Sequence, residues 1–207
     1  DQGFDHFKVA LSIVIMKMVR SDLATSGVMF SLDTETGFRD AVFITASWGL
    51  GENVVQGTVN PDEYYVFKPA FQKGKKAVLR RVLGSKKIKM IYTEGDTRHG
   101  TRNVPTHLDE QERFCLKDED IFILADYAIK IENHYSQKMG ESRPMDMEWA
   151  KDGLDGAIYM VQARPETVAS QKKGQILEEY ILGEHGQRLG SGRAVGSKIA
   201  AGPVRII

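Results

Sequence analysis

Two alternating runs that flank a turn rich in glycine and aspartate constrain this chain more than any other stretch of it. Between Pro144 and Pro165 the order is Met145-Asp146-Met147-Glu148-Trp149, then Asp152-Gly153-Leu154-Asp155-Gly156, then Ile158 to Arg164. Period-two alternation around such a turn predicts a β-hairpin. Successive side chains on a strand point to opposite faces. Asp146 and Glu148 therefore share one face, while Met145, Met147 and Trp149 take the other. Gln162 and Arg164 share a face of the second strand.

In an antiparallel pair the numbers of facing residues keep a constant sum. Glu148 opposite Gln162 and Asp146 opposite Arg164 satisfy the same register. That register gathers two carboxylates, an amide and a guanidinium on one face. Carboxylate and amide oxygens suit Mg²⁺, and a neighbouring arginine suits phosphate. The competing account is a surface ion pair between Asp146 and Arg164, with Glu148 and Gln162 solvated. A slip of one residue would move Gln162 and Arg164 to the wrong face.

With 207 residues the chain can bury an ample core in one large or two modest domains. Lysine plus arginine balances aspartate plus glutamate at 28 each, so no net field draws it to nucleic acid or membrane. The single cysteine, Cys115, excludes an internal disulfide framework and suits a reducing, cytoplasmic setting. The longest apolar stretch, Val9 to Met16, falls short of the roughly 20 residues of a membrane helix. The start at Asp1 carries neither an initiator methionine nor a signal-peptide pattern, which reads as a piece of something longer.

Along the chain, Val9 to Val19 reads as a buried β run entering a turn at Arg20-Ser21-Asp22. Further strands are expected over Ser26 to Leu32, Ala41 to Ala46, Glu63 to Lys68, Ala77 to Val82 and Ile88 to Tyr92. Asp118 to Lys138 is the long helix, with Ile121, Leu124, Ala128, Ile131 and Tyr135 as its apolar stripe. Acidic residues in its first turn complement the helix dipole. Gly49-Leu50-Gly51-Glu52, followed by a short helix towards Gln56, is neither G-x-G-x-x-G nor a Walker A motif. It reads as a tight strand-to-helix turn, with a phosphate contact at the helix N-terminus as the second reading. Lys73 to Lys89 holds eight basic residues. They interleave with apolar residues and lack stacking aromatics, as a solvated strand face does. The five histidines show no metal-ligand spacing, and Cys115 reads as a small core residue.

The hairpin residues also carry a family resemblance. Met-Asp-Met-Glu-Trp followed by Val-Gln-Ala-Arg-Pro-Glu-Thr resembles the end of the ATP-grasp domain in the phosphoenolpyruvate synthase (pyruvate, water dikinase) family of PEP-utilising enzymes. Three other stretches are similar to the same family, in its order. They are Met18-Val19-Arg20-Ser21-Asp22 with Ser26 to Phe30, Ser47 to Glu52 with Asn60-Pro61-Asp62-Glu63, and Gly84 to Met90.

The resemblance implies an α+β fold. Residues 1–168 would be the later, C-terminal lobe of an ATP-grasp domain, a mainly antiparallel sheet with packed helices. A linker at 169–175 would lead into a small glycine-rich β segment at 176–207, the start of a phosphohistidine (swivelling) domain. It implies Mg²⁺ and ATP, with pyruvate as the second substrate and any homo-oligomer formed through regions outside this sequence. Glu148 and Gln162 would hold the metal between the ATP phosphates. Arg164 would contact the phosphates and act catalytically. Lys17, Met18 and Val19, in the hinge between lobes, would meet the adenine edge. The family often has Gln or Glu near Met16 or Lys17, and this sequence has neither there. Its phosphate-carrying histidine lies in a Thr-Ser-His motif, and no Ser-His pair occurs in this chain. The segment alone is therefore expected to be inactive. Two alternatives stay open: the nucleotide-binding lobe of another dikinase (pyruvate phosphate, antibiotic or glucan), and a non-catalytic ATP-binding module.

Overall fold

Strands form where β-branched and aromatic residues alternate, and helices where glycine, proline or acidic residues punctuate. The structure, a computed structural model, describes residues 10, 13–93, 100–168 and 170, with isolated positions at 183, 186, 187, 189, 190 and 201–203. In chain order these include β1 (Thr25–Phe30), β2 (Ala41–Trp48), α1 (Glu52–Val55), β3 (Asp62–Phe67), α2 (Lys68–Phe71), β4 (Val78–Val82) and β5 (Ile88–Tyr92). There follow β6 (Thr101–Pro105), α3 (Leu108–Gln111), α4 (Asp118–Met139), β7 (Met145–Lys151) and β8 (Ile158–Pro165). Six strands build an antiparallel sheet in the order β4-β3-β2-β1-β7-β8, and β5 with β6 makes a separate ribbon.

One sheet face is the core. Met29, Ile44, Tyr64, Met147 and Trp149 are buried together with Ile121, Leu124 and Ala128 of α4. The apolar stripe expected on the long helix thus lies inward, with Ile131 and Tyr135 partly buried at its far end. Gly140, in the left-handed region at φ 72°, caps that helix. The opposite face carries a row in register across the strands, with Arg80 facing Tyr65, Tyr65 facing Phe43, and Phe43 facing Phe30. Phe30 in turn faces Asp146, which faces Arg164. The stacked Phe43 and Tyr65 rings lie 4.7 Å apart. The parallel row on the same face runs through Val28, Glu148 and Gln162.

Two sequence expectations need correction, and two elements had none. The run from Val9 to Val19 is not a strand where it is described: residues 13–20 have no regular structure. Ile13, Val14 and Ile15 are 89%, 74% and 95% exposed. A β run is stable only when its N–H and C=O groups find a ladder partner, and no described strand pairs with this one. The basic run from Lys73 to Lys89 is not uniformly solvated, because Lys86 is fully buried against Asp62. Finally, β6 and α3 had no expectation at all; their residues show neither clean alternation nor helical spacing. The expected linker at 169–175 and glycine-rich segment at 176–207 lie outside the described residues, apart from the isolated positions given above.

Candidate functional site

The hairpin places its polar face as its alternation requires. Glu148 faces Gln162 and Asp146 faces Arg164. Nearer the turn, however, Trp149 faces Met160 and Lys151 faces Ile158, so the register shifts by one residue beside Glu148. Zipping regularly from the turn would have set Val161 opposite Glu148 and turned Gln162 and Arg164 away. A β-bulge at Val161 absorbs the extra residue and restores both pairs, the re-aiming that bulges perform beside functional sites.

A cleft of about 610 Å³ opens above this face, lined by Met16, Lys17, Met18, Val19, Gly51 and Glu148 among others. That volume lies within the usual range for small-molecule sites. The structure therefore brings Lys17, Met18 and Val19, the residues expected at a hinge, together with Glu148. Gln162 and Arg164 stand on the neighbouring strand, outside the lining. Leu50, Val55, Tyr92 and Val161 add apolar wall. Gly49 makes that wall possible. At φ +85° it takes a turn conformation, and a Cβ there would fall 2.4 Å from the Met90 carbonyl oxygen. The Leu50 N–H donates to the same oxygen at 2.9 Å. The ribbon is so pinned that the Tyr92 hydroxyl reaches Met18 Sδ at 3.1 Å.

The Lys17 ammonium is held by the hairpin turn. It donates to Asp155 Oδ2 and to the Tyr159 hydroxyl, each at 2.8 Å. The hydrogen bond to Asp155 is the main reason its pKa rises, with that to Tyr159 second. Reciprocally, the bond from Lys17 is the chief cause that lowers the Asp155 carboxyl from 3.8 to about 2. With its head fastened to the hairpin turn, Lys17 has only its backbone and its stem to offer the cleft. A depressed carboxyl pKa contributes stability that is present above the unfolded value and lost as pH falls through the folded one. The clasp is expected to hold from neutral pH down to about 3.8 and to open as pH approaches 2. Carbon-detected NMR titration of the Asp155 carboxyl reads this directly, and a midpoint near 3.8 would show that the clasp does not form.

Arg164 is also engaged. Its Nε and Nη2 both lie 2.8 Å from Asp146 Oδ2. This pairing raises the guanidinium pKa. The ion pair of the bland account therefore exists, yet it does not exhaust the group. A guanidinium has five N–H donors, and Arg164 remains 65% exposed against 16% for Asp146. Donors remain for an anion above the sheet.

For a divalent cation, the facing Glu148 carboxylate and Gln162 amide oxygen are suitable donors. Among the described residues no group of three or more His, Cys, Asp or Glu could hold a metal. Mg²⁺ commonly takes one or two carboxylates and completes its shell with phosphate oxygens and water. The donor set present fits an ion shared with a bound phosphate. Gln56, Tyr92 and Val161 were not expected in the cleft, and Glu52 only as part of the Gly49-Leu50-Gly51-Glu52 turn. That turn was the available signal for Gln56 as well. Among the described residues no helix is long and apolar enough to cross a membrane.

Residues 1–183 match the family described as pyruvate phosphate dikinase, AMP/ATP-binding domain, and the chain belongs to it. Among individual proteins, it is 56% identical over 212 residues to the phosphoenolpyruvate synthase of Helicobacter pylori, covering all of this chain and 26% of that protein. It is 57% identical over 205 residues to the phosphoenolpyruvate synthase of Synechocystis sp., covering 99% of this chain and 25% of that protein. With the phosphoenolpyruvate synthase of Escherichia coli K12 it shares 51% over 208 residues, covering 100% of this chain and 25% of that protein. The chain spans about a quarter of the length of the curated relatives it matches.

Proposed function

We propose that this chain is the later lobe of an ATP-grasp domain in a phosphoenolpyruvate synthase, a cytoplasmic pyruvate, water dikinase. The enzyme would convert ATP, pyruvate and water to AMP, phosphoenolpyruvate and phosphate through a phosphohistidine. One observation carries the reading: a single cleft joins the hinge segment 16–19 to Glu148, with Gln162 and Arg164 on the adjoining strand of the same face. The high identity to phosphoenolpyruvate synthases over the whole chain supports the choice of acceptor over other dikinases.

In this reading the adenine lies along Lys17, Met18 and Val19, against the apolar wall. Glu148 and Gln162 hold Mg²⁺ on the phosphates, and the metal neutralises charge that develops during transfer. Arg164 donates to the phosphates with the N–H groups that Asp146 leaves. The exposed apolar run at Ile13 to Met16 is covered by the preceding lobe, which closes the cleft. A polypeptide limited to these residues supplies one wall of the cleft and no Ser-His pair, so it does not turn over. The phosphohistidine domain begins near residue 176, after a linker at 169–175.

The test is product analysis with the full-length protein. Pyruvate, ATP and Mg²⁺ should give phosphoenolpyruvate, AMP and orthophosphate in equal amounts. With orthophosphate supplied as well, its consumption with formation of pyrophosphate would indicate a pyruvate, phosphate dikinase, and no pyruvate-dependent AMP in either mixture would sink the reading.

A further inference from the structure

Three charged side chains line the cleft, Lys17, Glu52 and Glu148. The Lys17 head is taken by Asp155 and Tyr159, and Glu148 faces Gln162. Glu52 stands apart from both, on α1, where Gln56 Nε2 donates to its Oε1 at 2.9 Å. That bond orients the carboxylate and leaves Oε2 for another donor.

A carboxylate in a cleft that takes a polyphosphate repels it. It is tolerated where a metal intervenes or where the ligand presents neutral hydroxyls. The reading above places the metal at the facing pair Glu148 and Gln162, on β7 and β8 rather than on α1, which leaves hydroxyls as the partner for Glu52. Vicinal hydroxyls suit it: an acidic side chain accepting from ribose is the usual device in dinucleotide sites.

The helix is also held in place, as a recognition element must be. Buried Asn53 donates through Nδ2 to Asn103 Oδ1 at 2.7 Å, tying α1 to the ribbon. Ser26 Oγ donates to the Gly49 carbonyl at 2.6 Å, tying the preceding turn to β1. Glu52 is therefore set against two fixed elements rather than carried on a free loop.

We propose that Glu52, oriented by Gln56, accepts hydrogen bonds from the ribose hydroxyls of the bound nucleotide. The cleft thereby selects ribonucleotides over 2′-deoxyribonucleotides and rejects a 2′-phosphate. This rests on the nucleotide reading of the cleft given above.

Calorimetric titration of the full-length protein in Mg²⁺ tests it, with ATP, 2′-deoxyATP and inorganic tripolyphosphate as probes. The wild type is expected to bind ATP about tenfold more tightly than 2′-deoxyATP, the scale of a hydrogen bond to a charged group. Glu52→Ala should bring the two nucleotides within about twofold while leaving tripolyphosphate binding as tight as in the wild type or slightly tighter. Retained tripolyphosphate affinity also shows that the variant folds, and Glu52→Gln provides a conservative second variant with partial preference. An undiminished preference for ATP in Glu52→Ala overturns the inference alone. So does a wild type without preference, or a Glu52→Ala variant that loses tripolyphosphate and ATP equally while its fold is intact. If the wild type binds neither nucleotide nor tripolyphosphate, the nucleotide reading falls and this inference with it.

Discussion

Replacing Glu148 by alanine is expected to lower Mg·ATP-dependent phosphoryl transfer in the full-length protein by roughly two to three orders of magnitude. That is the scale of losing one preorganised electrostatic contact to the transition state. Glu148 is half-buried on β7, with Val28 on one side and Gln162 on the other. Its neighbours Met147 and Trp149 point into the core and are untouched by the change. Stability should therefore move by no more than about 0.5 kcal/mol, as for an ordinary surface site. Glu148→Gln keeps the shape and removes the charge, so partial rescue by excess Mg²⁺ is expected there and not in the alanine variant. Steady-state kinetics at several Mg²⁺ concentrations separate the accounts. A solvated, idle Glu148 predicts a change of less than about twofold, and that outcome would remove it from the site.

The polar face of the hairpin was legible because a strand has only two faces, so residue types alone sort the side chains. What was not legible was how the register survives the turn. Counting from Asp152 and Ala157 leads to the wrong pairs, and only the bulge at Val161 reconciles the turn with Glu148 opposite Gln162. A bulge depends on the ladder geometry between β7 and β8, and nothing in the composition of Tyr159-Met160-Val161 announces it. The buried face of α4 was easier, since its period reports a single large contact with the sheet.

The hinge segment failed in the opposite direction. Ile13-Val14-Ile15-Met16 has the composition of a buried strand, and composition registers that a surface is apolar without saying which part of a protein covers it. In the structure Ile13, Val14 and Ile15 are exposed beside the cleft that Met16 to Val19 line. Glu52 was read only as part of its turn for a related reason. It reaches the cleft only because Gly49 lets β5 approach and pins the Leu50 turn, a contact between positions some 40 residues apart. Lys86 was misplaced because a basic run reads as solvated unless its partner is known, and that partner, Asp62, lies on β3.

That buried pair supports the second large prediction. Asp62 and Lys86 are both fully buried, with Lys86 Nζ 2.5 Å from Asp62 Oδ1. The carboxylate also accepts from the Gly84 and Cys115 N–H groups at 2.8 Å each, and from the Tyr64 hydroxyl at 3.3 Å. Lys86 has the Gly84 and Gln111 carbonyls besides, at 2.8 and 3.3 Å. Removing either partner strands the other in a dry site, which costs about 3–5 kcal/mol. The two losses are unequal. Lys86→Met leaves a carboxylate with three donors, whereas Asp62→Ala leaves an ammonium with two carbonyls and orphans two backbone N–H groups, each worth about 1–3 kcal/mol. Asp62→Ala should therefore be the more destabilising, at or above the upper end of that range, with Lys86→Met near the lower. In the double variant the stranded ammonium disappears, so it should cost no more than Asp62→Ala alone. Urea unfolding followed through Trp48 and Trp149 supplies the comparison. A Lys86→Met variant as costly as Asp62→Ala would mean that the pair, and not the carboxylate's web of donors, holds this corner. The consequence reaches the cleft as well, because Gly84 to Lys86 leads into β5, whose Met90 carbonyl anchors Leu50 and whose Tyr92 contacts Met18. Loosening the anchor should raise the KM for ATP in Asp62→Ala at temperatures where the protein is still folded, a coupling that an isolated structural pair would not produce.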